Sequence, residues 1–196
     1  MRILLALMLL AGAPFWEDKP PEEWTDEELQ VLLHDSPWAK TMSLEKMVGR
    51  IPAIPVYLAS ARPMQDAEDE AKRRMEKLRP SEYPEDDEYR DFLRENPGKY
   101  IVLAVALPDP NALADAKESR RMEEESFLRA GRARHKMEGH FPPTPSDPFL
   151  RLIFPRTVGP RDKSLRFELY LPSVPAPYRS VEFYLEDLLY KGRPEI

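Results

Sequence analysis

The chain contains no cysteine, only seven glycines and only three histidines in 196 residues. Without cysteine there can be no disulfide, no thiolate nucleophile and no cysteine-ligated metal. No glycine-rich phosphate loop and no G-x-S-x-G nucleophile elbow occurs in the sequence. The sequence therefore shows no cofactor-binding motif and no catalytic metal motif, and it favours a noncatalytic function.

Acidic residues outnumber basic residues by 35 to 29, which gives a formal net charge of −6. A net negative chain disfavours nonspecific binding to nucleic acid or to an anionic membrane. The 22 prolines lie mainly between the predicted helices and strands, which indicates stiff connections rather than disorder. The length is typical of a single domain with a core of ordinary size.

The first 13 residues have the layout of a secretory signal peptide. Arg2 provides a positive start, residues 3–10 are apolar, and small residues follow at positions 11–13. The apolar run is shorter than the roughly 20 residues that a membrane-spanning helix needs. We therefore expect residues 14–196 to be exported as one domain, periplasmic or extracellular, with no stable membrane anchor after cleavage. Cleavage after Ala11 and a buried N-terminal helix of a cytosolic protein are the alternatives.

The segment that follows predicts a capped helix. Thr25 and Glu28 have the S/T-x-x-E spacing of a capping box, in which each side chain pairs with the other residue's amide. The helix should extend from about Asp26 to His34, with an apolar stripe that includes Leu29 and Leu32.

A second short helical turn is predicted directly after this helix, with Asp35 or Ser36 as its cap and Pro37 at its first position. Trp24 and Trp38 flank this helix-corner-helix and are expected to clamp it by burial. The alternative interpretation is a surface for a protein partner, formed by Trp24, Trp38, Asp35 and Ser36.

This region also shows a resemblance. The segments "EWTDEELQVLLHDSPWAK", "SARPMQDAEDEAKRR", "IFPR" and "VEFYLEDLLYKGR" resemble a group of uncharacterised, signal-peptide-bearing bacterial proteins with W-T-x-E-E and D-S-P-W-A blocks. Some of these are labelled with a G-W-x-T-D domain, a signature that is not matched here because Glu23 precedes Trp24. The resemblance covers most of residues 14–196 and implies export and a shared fold, but no activity.

The rest of the chain alternates between strand and helix patterns. Strands are predicted at 54–60, 100–107, 149–156, 165–171 and 180–187, with an edge strand at 132–138, and helices from Pro63, at 85–95 and at 110–130. The run 100–107 is apolar on both faces, as in a strand covered on both sides. The expected architecture is α+β, with two layers and helices packed on one face of a mixed, mostly antiparallel sheet.

Two of the predicted strands alternate cleanly between apolar and polar residues. One set of side chains should be buried: Leu165, Phe167, Leu169, Leu171, Val181, Phe183 and Leu185. The opposite set should be exposed: Arg166, Glu168, Glu182 and Tyr184. This pattern predicts an antiparallel pair with one buried face.

Candidate chemical groups are few. His135 and His140 flank Glu138, but their spacing is not the i, i+4 spacing of helical zinc ligands, so no metal site is predicted. His34 is placed to complement the dipole at a helix C-terminus. The acidic runs 85–88 and 123–125 are typical of solvated faces rather than of a catalytic pair.

A local basic strip consists of Arg129, Arg132, Arg134, His135 and Lys136. It could meet an acidic partner or a phosphate. Because Glu123, Glu124 and Glu125 directly precede it, we interpret the strip as the charge-balanced end of a helix.

Three classes of function are compatible with this sequence. The first is a noncatalytic protein-interaction or envelope-associated module, whose partner would be an envelope or secreted protein. The second is an exported hydrolase that uses a carboxylate pair in a cleft lined with acids and aromatics such as Trp24, Trp38 or Tyr57. The third is a carrier with an apolar cavity between sheet and helices.

Overall fold

The structure, a computed structural model, describes residues 13–42, 53–79, 88–109, 111–145 and 147–196. Residues 1–12 of the predicted signal peptide lie outside the described residues. Residues 85–87 of the first acidic run also lie outside them. The described part contains five α-helices and eleven strands, which confirms the α+β class.

The helices are α1 (Phe15–Asp18), α2 (Asp26–His34), α3 (Arg62–Met75), α4 (Glu88–Glu95) and α5 (Ala116–Glu125), with a 3-10 turn at Pro21–Glu23. The strands are β1 (Ala39–Met42), β2 (Ile54–Leu58), β3 (Tyr100–Val105), β4 (Phe127–Ala130), β5 (Ala133–Lys136), β6 (Gly139–Phe141), β7 (Leu150–Pro155), β8 (Ser164–Tyr170), β9 (Tyr178–Tyr184), β10 (Leu189–Tyr190) and β11 (Arg193–Pro194).

Most strands belong to two sheets rather than to the one mixed sheet that the sequence predicts. The first sheet has the order β1-β2-β3-β7-β6, and the second has the order β5-β4-β8-β9. Strands β10 and β11 form a separate hairpin. Every strand pair within the described ranges is antiparallel. The predicted edge strand is confirmed, because β5 is an outer strand of the second sheet.

The second sheet packs on one face of the first sheet and covers the strands that are apolar on both faces. All residues from Ile101 to Val105 are buried, so β3 is covered on both faces. On one face, Phe154 of β7 lies 5.3 Å from Phe167 of β8, and Phe167 lies 6.0 Å from Phe183 of β9, between ring centroids. These three rings are fully buried and form the core between the sheets.

The two sheets are joined along both sides. On one side the chain leaves the second sheet at the end of β5 and, after a connection of two residues, continues as β6 of the first sheet. On the other side, Lys40 Nζ of β1 donates to the carbonyl oxygen of Glu182 in β9 at 2.6 Å. This lysine covers an edge carbonyl that would otherwise be available for pairing with another chain.

Helices α2 and α3 cover the other face of the first sheet. Leu29 and Leu32 of α2 are buried, as predicted, and so are Met64 and Ala67 of α3. Met75, the last residue of α3, is 69% exposed.

The capping box of α2 is confirmed. The Glu28 amide donates to Thr25 Oγ1 at 3.1 Å, and the Thr25 amide donates to Glu28 Oε2 at 2.9 Å. The ammonium group of Lys19 adds a hydrogen bond to Glu28, and together with the Thr25 amide it lowers the pKa of this carboxyl.

The chain after α2 differs from the predicted second helix. Residues 36–38 form a turn, closed by a hydrogen bond from the Ala39 amide to the Ser36 carbonyl at 3.1 Å. The next residue already begins β1, because the Leu58 amide of β2 donates to the Trp38 carbonyl at 3.0 Å and draws the chain into the first sheet. Pairing with a distant strand therefore prevails over the local helical signal.

The helix predicted at 110–130 is shorter than expected. It begins after Asp115, whose side chain accepts from the Lys117 amide at 2.8 Å, and it ends at Glu125. Residues 127–130 form β4, which pairs with β5 on one side and β8 on the other. Gly131 turns the β4–β5 hairpin with a φ of +57°.

Candidate interaction face on the second sheet

The second sheet has one buried face and one face that looks outwards. Leu128, Phe167 and Phe183 point inwards and are fully buried. Side chains at the alternate positions of β4, β5, β8 and β9 point outwards, because successive side chains of a strand lie on opposite faces. Part of this outer face is covered by α5, where Glu118 accepts a hydrogen bond from Tyr170 Oη at 2.5 Å.

Three arginines lie side by side on the uncovered part of the outer face. Arg134 of β5 pairs in register with Arg129 of β4, and Arg129 pairs in register with Arg166 of β8. Neighbouring strands are about 4.8 Å apart, so these side chains form a row across three strands. Arg129 and Arg134 are 47% and 49% exposed at their side chains, and Arg166 is exposed as well. We call Arg134, Arg129 and Arg166 the arginine row.

The row is only partly neutralised. Glu168 is shared by two arginines, with Oε1 at 2.8 Å from Arg129 Nε and Oε2 at 3.9 Å from Arg134 Nε. The Arg134 guanidinium also lies over the Phe127 ring, 3.4 Å from its centroid. The Arg166 side chain forms no hydrogen bond or ion pair with any residue that the structure describes. It faces Glu182 in register, but that carboxylate accepts from the Ser164 hydroxyl at 2.6 Å instead.

The local charge opposes the charge of the whole chain. At two neighbouring outward-facing positions, residues pair in register across β5, β4, β8 and β9. The charged side chains at these positions are four basic and two acidic ones: Lys136, Arg134, Arg129, Arg166, Glu168 and Glu182. Four positive charges minus two negative charges give a formal charge of +2, whereas the chain as a whole has −6. Like charges directly opposite each other on neighbouring strands are destabilising. The fold therefore gains nothing from aligning three arginines.

A groove of about 550 Å³ lies beside the row, and we call it the outer groove. Its walls include Phe127, Tyr178 and Glu125. Hydrogen bonds from the Tyr178 hydroxyl and from Arg121 lower the pKa of Glu125, so this carboxyl stays ionised. A general acid would need the opposite shift.

The predicted partner surface at the corner is mostly buried. Trp24 and Trp38 are 4% and 0% exposed, and Ser36 is 8% exposed, whereas Asp35 is exposed. The Trp24 indole donates to the Lys19 carbonyl at 3.2 Å, and the Trp38 indole donates to the Glu195 carbonyl at 2.8 Å. Both indoles pack the interior, as the first interpretation of this segment predicts. A partner could reach Asp35 but neither ring.

The structure places the predicted basic strip on a hairpin rather than at a helix end. Two of the three glutamates expected to neutralise the strip contact other residues instead. A carboxylate oxygen of Glu123 lies 3.3 Å from His140 Nδ1, and Glu125 forms an ion pair with Arg121. The carboxylate beside the strip is Glu168 of β8 instead. Sequence reasoning missed Arg166 as a member of the row, although the alternation of residues 165–171 already placed it on the exposed face.

The histidines make ordinary side-chain contacts. His135 Nε2 lies 2.9 Å from the Thr157 hydroxyl, on the side of β5 opposite to the row. In the part of the chain that the structure describes, no cluster of three or more histidine, aspartate or glutamate side chains is placed to hold a metal ion.

A second group of charges lies between the first sheet and its helices, and we call it the Glu68 cluster. Glu68 of α3 accepts from Tyr57 Oη at 2.6 Å and from Arg151 Nη1 at 2.8 Å, and its other oxygen lies 3.1 Å from Arg90 Nη2. Arg151 Nε also donates to Asp147 at 2.6 Å. Arg151 is only 5% exposed. Burial alone would lower the pKa of Arg151, but the charge of Glu68 holds it above its ordinary value.

Two further cavities lie near the start of α3. The first, of about 360 Å³, adjoins α4 and is lined by four arginines, three of which pair with a carboxylate: Arg62 with Asp66, Arg90 with Asp69 and Arg94 with Asp91. The second, of about 460 Å³, is lined by Trp16, Trp24 and Tyr190. We call the second cavity the tryptophan pocket.

None of the helices in the described ranges is long and apolar enough to cross a membrane. Comparison of the chain with protein-family models, with curated proteins and with solved structures found no match. The resemblance to the proteins with W-T-x-E-E and D-S-P-W-A blocks therefore stays a prediction, and function has to be inferred from the geometry of the chain itself.

Proposed function

We propose that this protein is an exported, noncatalytic interaction module that holds an acidic segment of a protein partner on the arginine row. The observation that supports the proposal most directly is the in-register alignment of Arg134, Arg129 and Arg166 with a single shared carboxylate among them. Export is part of the proposal and rests on the signal-peptide pattern of residues 1–13.

The chemistry of the row suits carboxylates. A guanidinium group presents a planar fork of donors that matches a carboxylate in two parallel hydrogen bonds. The guanidinium fork of Arg166 is free with respect to the described residues, and the neighbouring Arg129 shares Glu168 with Arg134. An acidic segment laid across the strands would replace like-charge repulsion with attraction. Such contacts speed association and select partners by charge.

The two alternative functions receive less support. A carboxylate-pair hydrolase needs one carboxyl with a raised pKa beside a second carboxylate. The Glu125 carboxyl in the outer groove has a lowered pKa, and Asp66, whose pKa burial raises, is ion-paired with Arg62 at 2.9 Å. A carrier for apolar ligands needs an apolar cavity, but the three cavities described above all have several charged side chains in their walls. Both observations favour binding of a charged partner over either alternative.

The test is a titration of the full chain with poly-L-glutamate, monitored by calorimetry at low salt and again at higher salt. We expect saturable binding that weakens as salt increases, because exposed charges are screened. Neutralising the row in the triple variant Arg129→Gln, Arg134→Gln, Arg166→Gln should weaken binding about tenfold or more.

The matched control removes three positive charges elsewhere, in the variant Lys77→Gln, Arg120→Gln, Arg193→Gln, whose parent residues are all exposed. It should bind nearly as well as the wild type. Equal loss in both triple variants would mean that only net charge matters and would contradict the proposal, as would saturable binding of a soluble neutral derivative of the polymer. A partner captured from an envelope extract should then protect β4, β5 and β8 from hydrogen exchange.

A further inference from the structure

The tryptophan pocket shares no lining residue with the outer groove beside the row. It is formed by α1 and the segment after it, by the start of α3, and by the turn between β10 and β11. Three of its lining residues are aromatic: Trp16, Trp24 and Tyr190. Its volume of about 460 Å³ falls in the usual range for small-molecule sites.

The rings of this pocket are held in place by other rings. Trp16 lies edge-on to Phe15 at 4.9 Å and to Trp38 at 5.9 Å, measured between centroids. Trp24 lies edge-on to Phe15 at 5.9 Å, and its indole N–H is fixed on the Lys19 carbonyl. Walls that are fixed before a ligand arrives lose little entropy on binding.

The charges around the pocket balance. It is lined by three acidic and three basic side chains: Glu17, Asp18, Asp66, Lys19, Arg62 and Lys191. Several of these groups are already paired, with Arg62 Nη2 at 2.9 Å from Asp66 and the Lys191 amide donating to Glu17 at 2.8 Å. A formal charge of zero gives an ionic ligand no net attraction.

An apolar ligand is disfavoured for a different reason. It would cover these charged groups without replacing their hydrogen bonds to water, which is costly. The ligand that suits both the rings and the charges is neutral, has an apolar face and has hydroxyl groups around its edge. Because the charged groups come from three separate segments, they can reach hydroxyls on several sides of such a ring.

From this combination we infer that the tryptophan pocket binds a neutral saccharide, whose C–H face packs on Trp16 and Tyr190 and whose hydroxyls pair with the charged groups at its edge, while the buried Trp24 supports the wall behind them. Burial raises the pKa of Asp66, and the charge of Arg62 opposes this shift. The Asp66–Arg62 pair then offers a carboxylate acceptor and guanidinium donors to the sugar hydroxyls.

The test is saturation-transfer NMR and intrinsic tryptophan fluorescence on the full chain, with neutral tetrasaccharides of glucose and of N-acetylglucosamine as probes. We expect at least one probe to give a saturable response. Tyr190→Ala should weaken binding about tenfold, as expected for loss of one packed ring. Tyr184→Ala, which removes an exposed tyrosine of β9 outside the pocket, should leave it unchanged.

Tyr190→Ala is preferred to a tryptophan variant because Trp16 packs on the buried Trp38 and Trp24 is itself buried, so the loss of either threatens the fold. Asp66→Asn provides a second variant that keeps the shape of the side chain and should also weaken binding. The inference is overturned if neither probe binds saturably, if Tyr190→Ala binds as well as Tyr184→Ala, or if free nucleosides bind the pocket in preference to both saccharides. Poly-L-glutamate should not compete with the saccharide, because the row and the pocket are separate sites.

Discussion

Arg151 and Arg166 lie in neighbouring sheets of this protein, and their surroundings are opposite. Arg151 is buried in the Glu68 cluster, where it contacts Glu68, Asp147 and the ring of Tyr89. Arg166 is exposed on the outer face, and its side chain has no hydrogen-bond or ion-pair partner among the described residues. Both are inside strands, so the difference lies in the layer that covers them.

The comparison separates charges that the fold requires from charges that it merely tolerates. A buried charge must be paired, since an unpaired one costs several kcal/mol. An exposed charge is solvated by water and contributes little to stability whether it is paired or not. The three aligned arginines on the outer face can therefore bind a partner at little cost to stability, whereas the Glu68 cluster stabilises the fold.

The largest expected effect is on the buried side of this comparison. Arg151→Ala leaves Glu68 and Asp147 without their shared cation, and it should lower the free energy of unfolding by about 3–5 kcal/mol. Arg166→Ala should change it by no more than about 0.5 kcal/mol. Urea denaturation of the two variants checks both values. Similar losses in the two variants would show that the row is a structural element after all.

A second buried charge extends the comparison to pH. Burial would raise the pKa of Glu70, but its hydrogen bonds to Arg73, at 2.6 and 2.7 Å, and to Arg74 hold it below its ordinary value. A lowered carboxyl pKa stabilises the folded state above the ordinary pKa, and this stabilisation is lost as the pH falls through the lowered pKa.

Glu70→Gln should therefore cost about 2 kcal/mol at neutral pH and much less in acid. The measurement is urea denaturation of variant and wild type across an acid pH series. Glu27→Gln, on the exposed side of α2, is the control and should show neither the loss nor the pH dependence. A penalty for Glu70→Gln that is the same at every pH would contradict the assignment.

The turn that supports the row gives a smaller effect. Gly131 has a positive φ, and an added Cβ would lie 2.2 Å from Asp162 Oδ1, whose partner oxygen accepts from the Gly159 amide. Gly98 also has a positive φ but faces open space. Gly98→Ala should cost about 1 kcal/mol from backbone strain alone, and Gly131→Ala about 2 kcal/mol because the Asp162 contact is disturbed as well. Thermal unfolding that ranks the two in the reverse order would contradict this account of the hairpin.

A smaller effect is expected at the capping box of α2, which belongs to neither the arginine row nor the Glu68 cluster. It measures the contribution of one local hydrogen bond to stability. Thr25→Ala removes the hydroxyl of the capping box and should cost about 1 kcal/mol, measured by urea denaturation. Thr25→Ser keeps the acceptor oxygen and should cost much less. If the two substitutions cost the same, the hydroxyl contact does not stabilise α2.

Local features of the sequence predicted local features of the structure well. The capping box of Thr25 and Glu28 spans three residues, so its two hydrogen bonds could be inferred from spacing alone. The antiparallel pairing of β8 and β9 and their shared buried face were predicted from the alternation of apolar and polar residues in the two strands. Strand β3 was recognised because it is apolar on both faces.

Features that depend on distant parts of the chain were missed. Phe127–Ala130 continues a helical pattern, and only pairing with β8, more than thirty residues later, makes it a strand. For the same reason the arginine row could not be seen in the sequence, since Arg129 and Arg166 meet only through that register. The contact between Glu68 and Arg151 joins residues 83 positions apart and has no local signal either.

The most direct test of the central claim measures stability and binding on one variant, the row-neutralised triple variant Arg129→Gln, Arg134→Gln, Arg166→Gln. The account predicts an unfolding free energy within about 1 kcal/mol of the wild type, together with about tenfold weaker, salt-dependent binding of poly-L-glutamate. Unchanged binding with a large loss of stability would contradict it, because the aligned arginines would then serve the fold and not a partner.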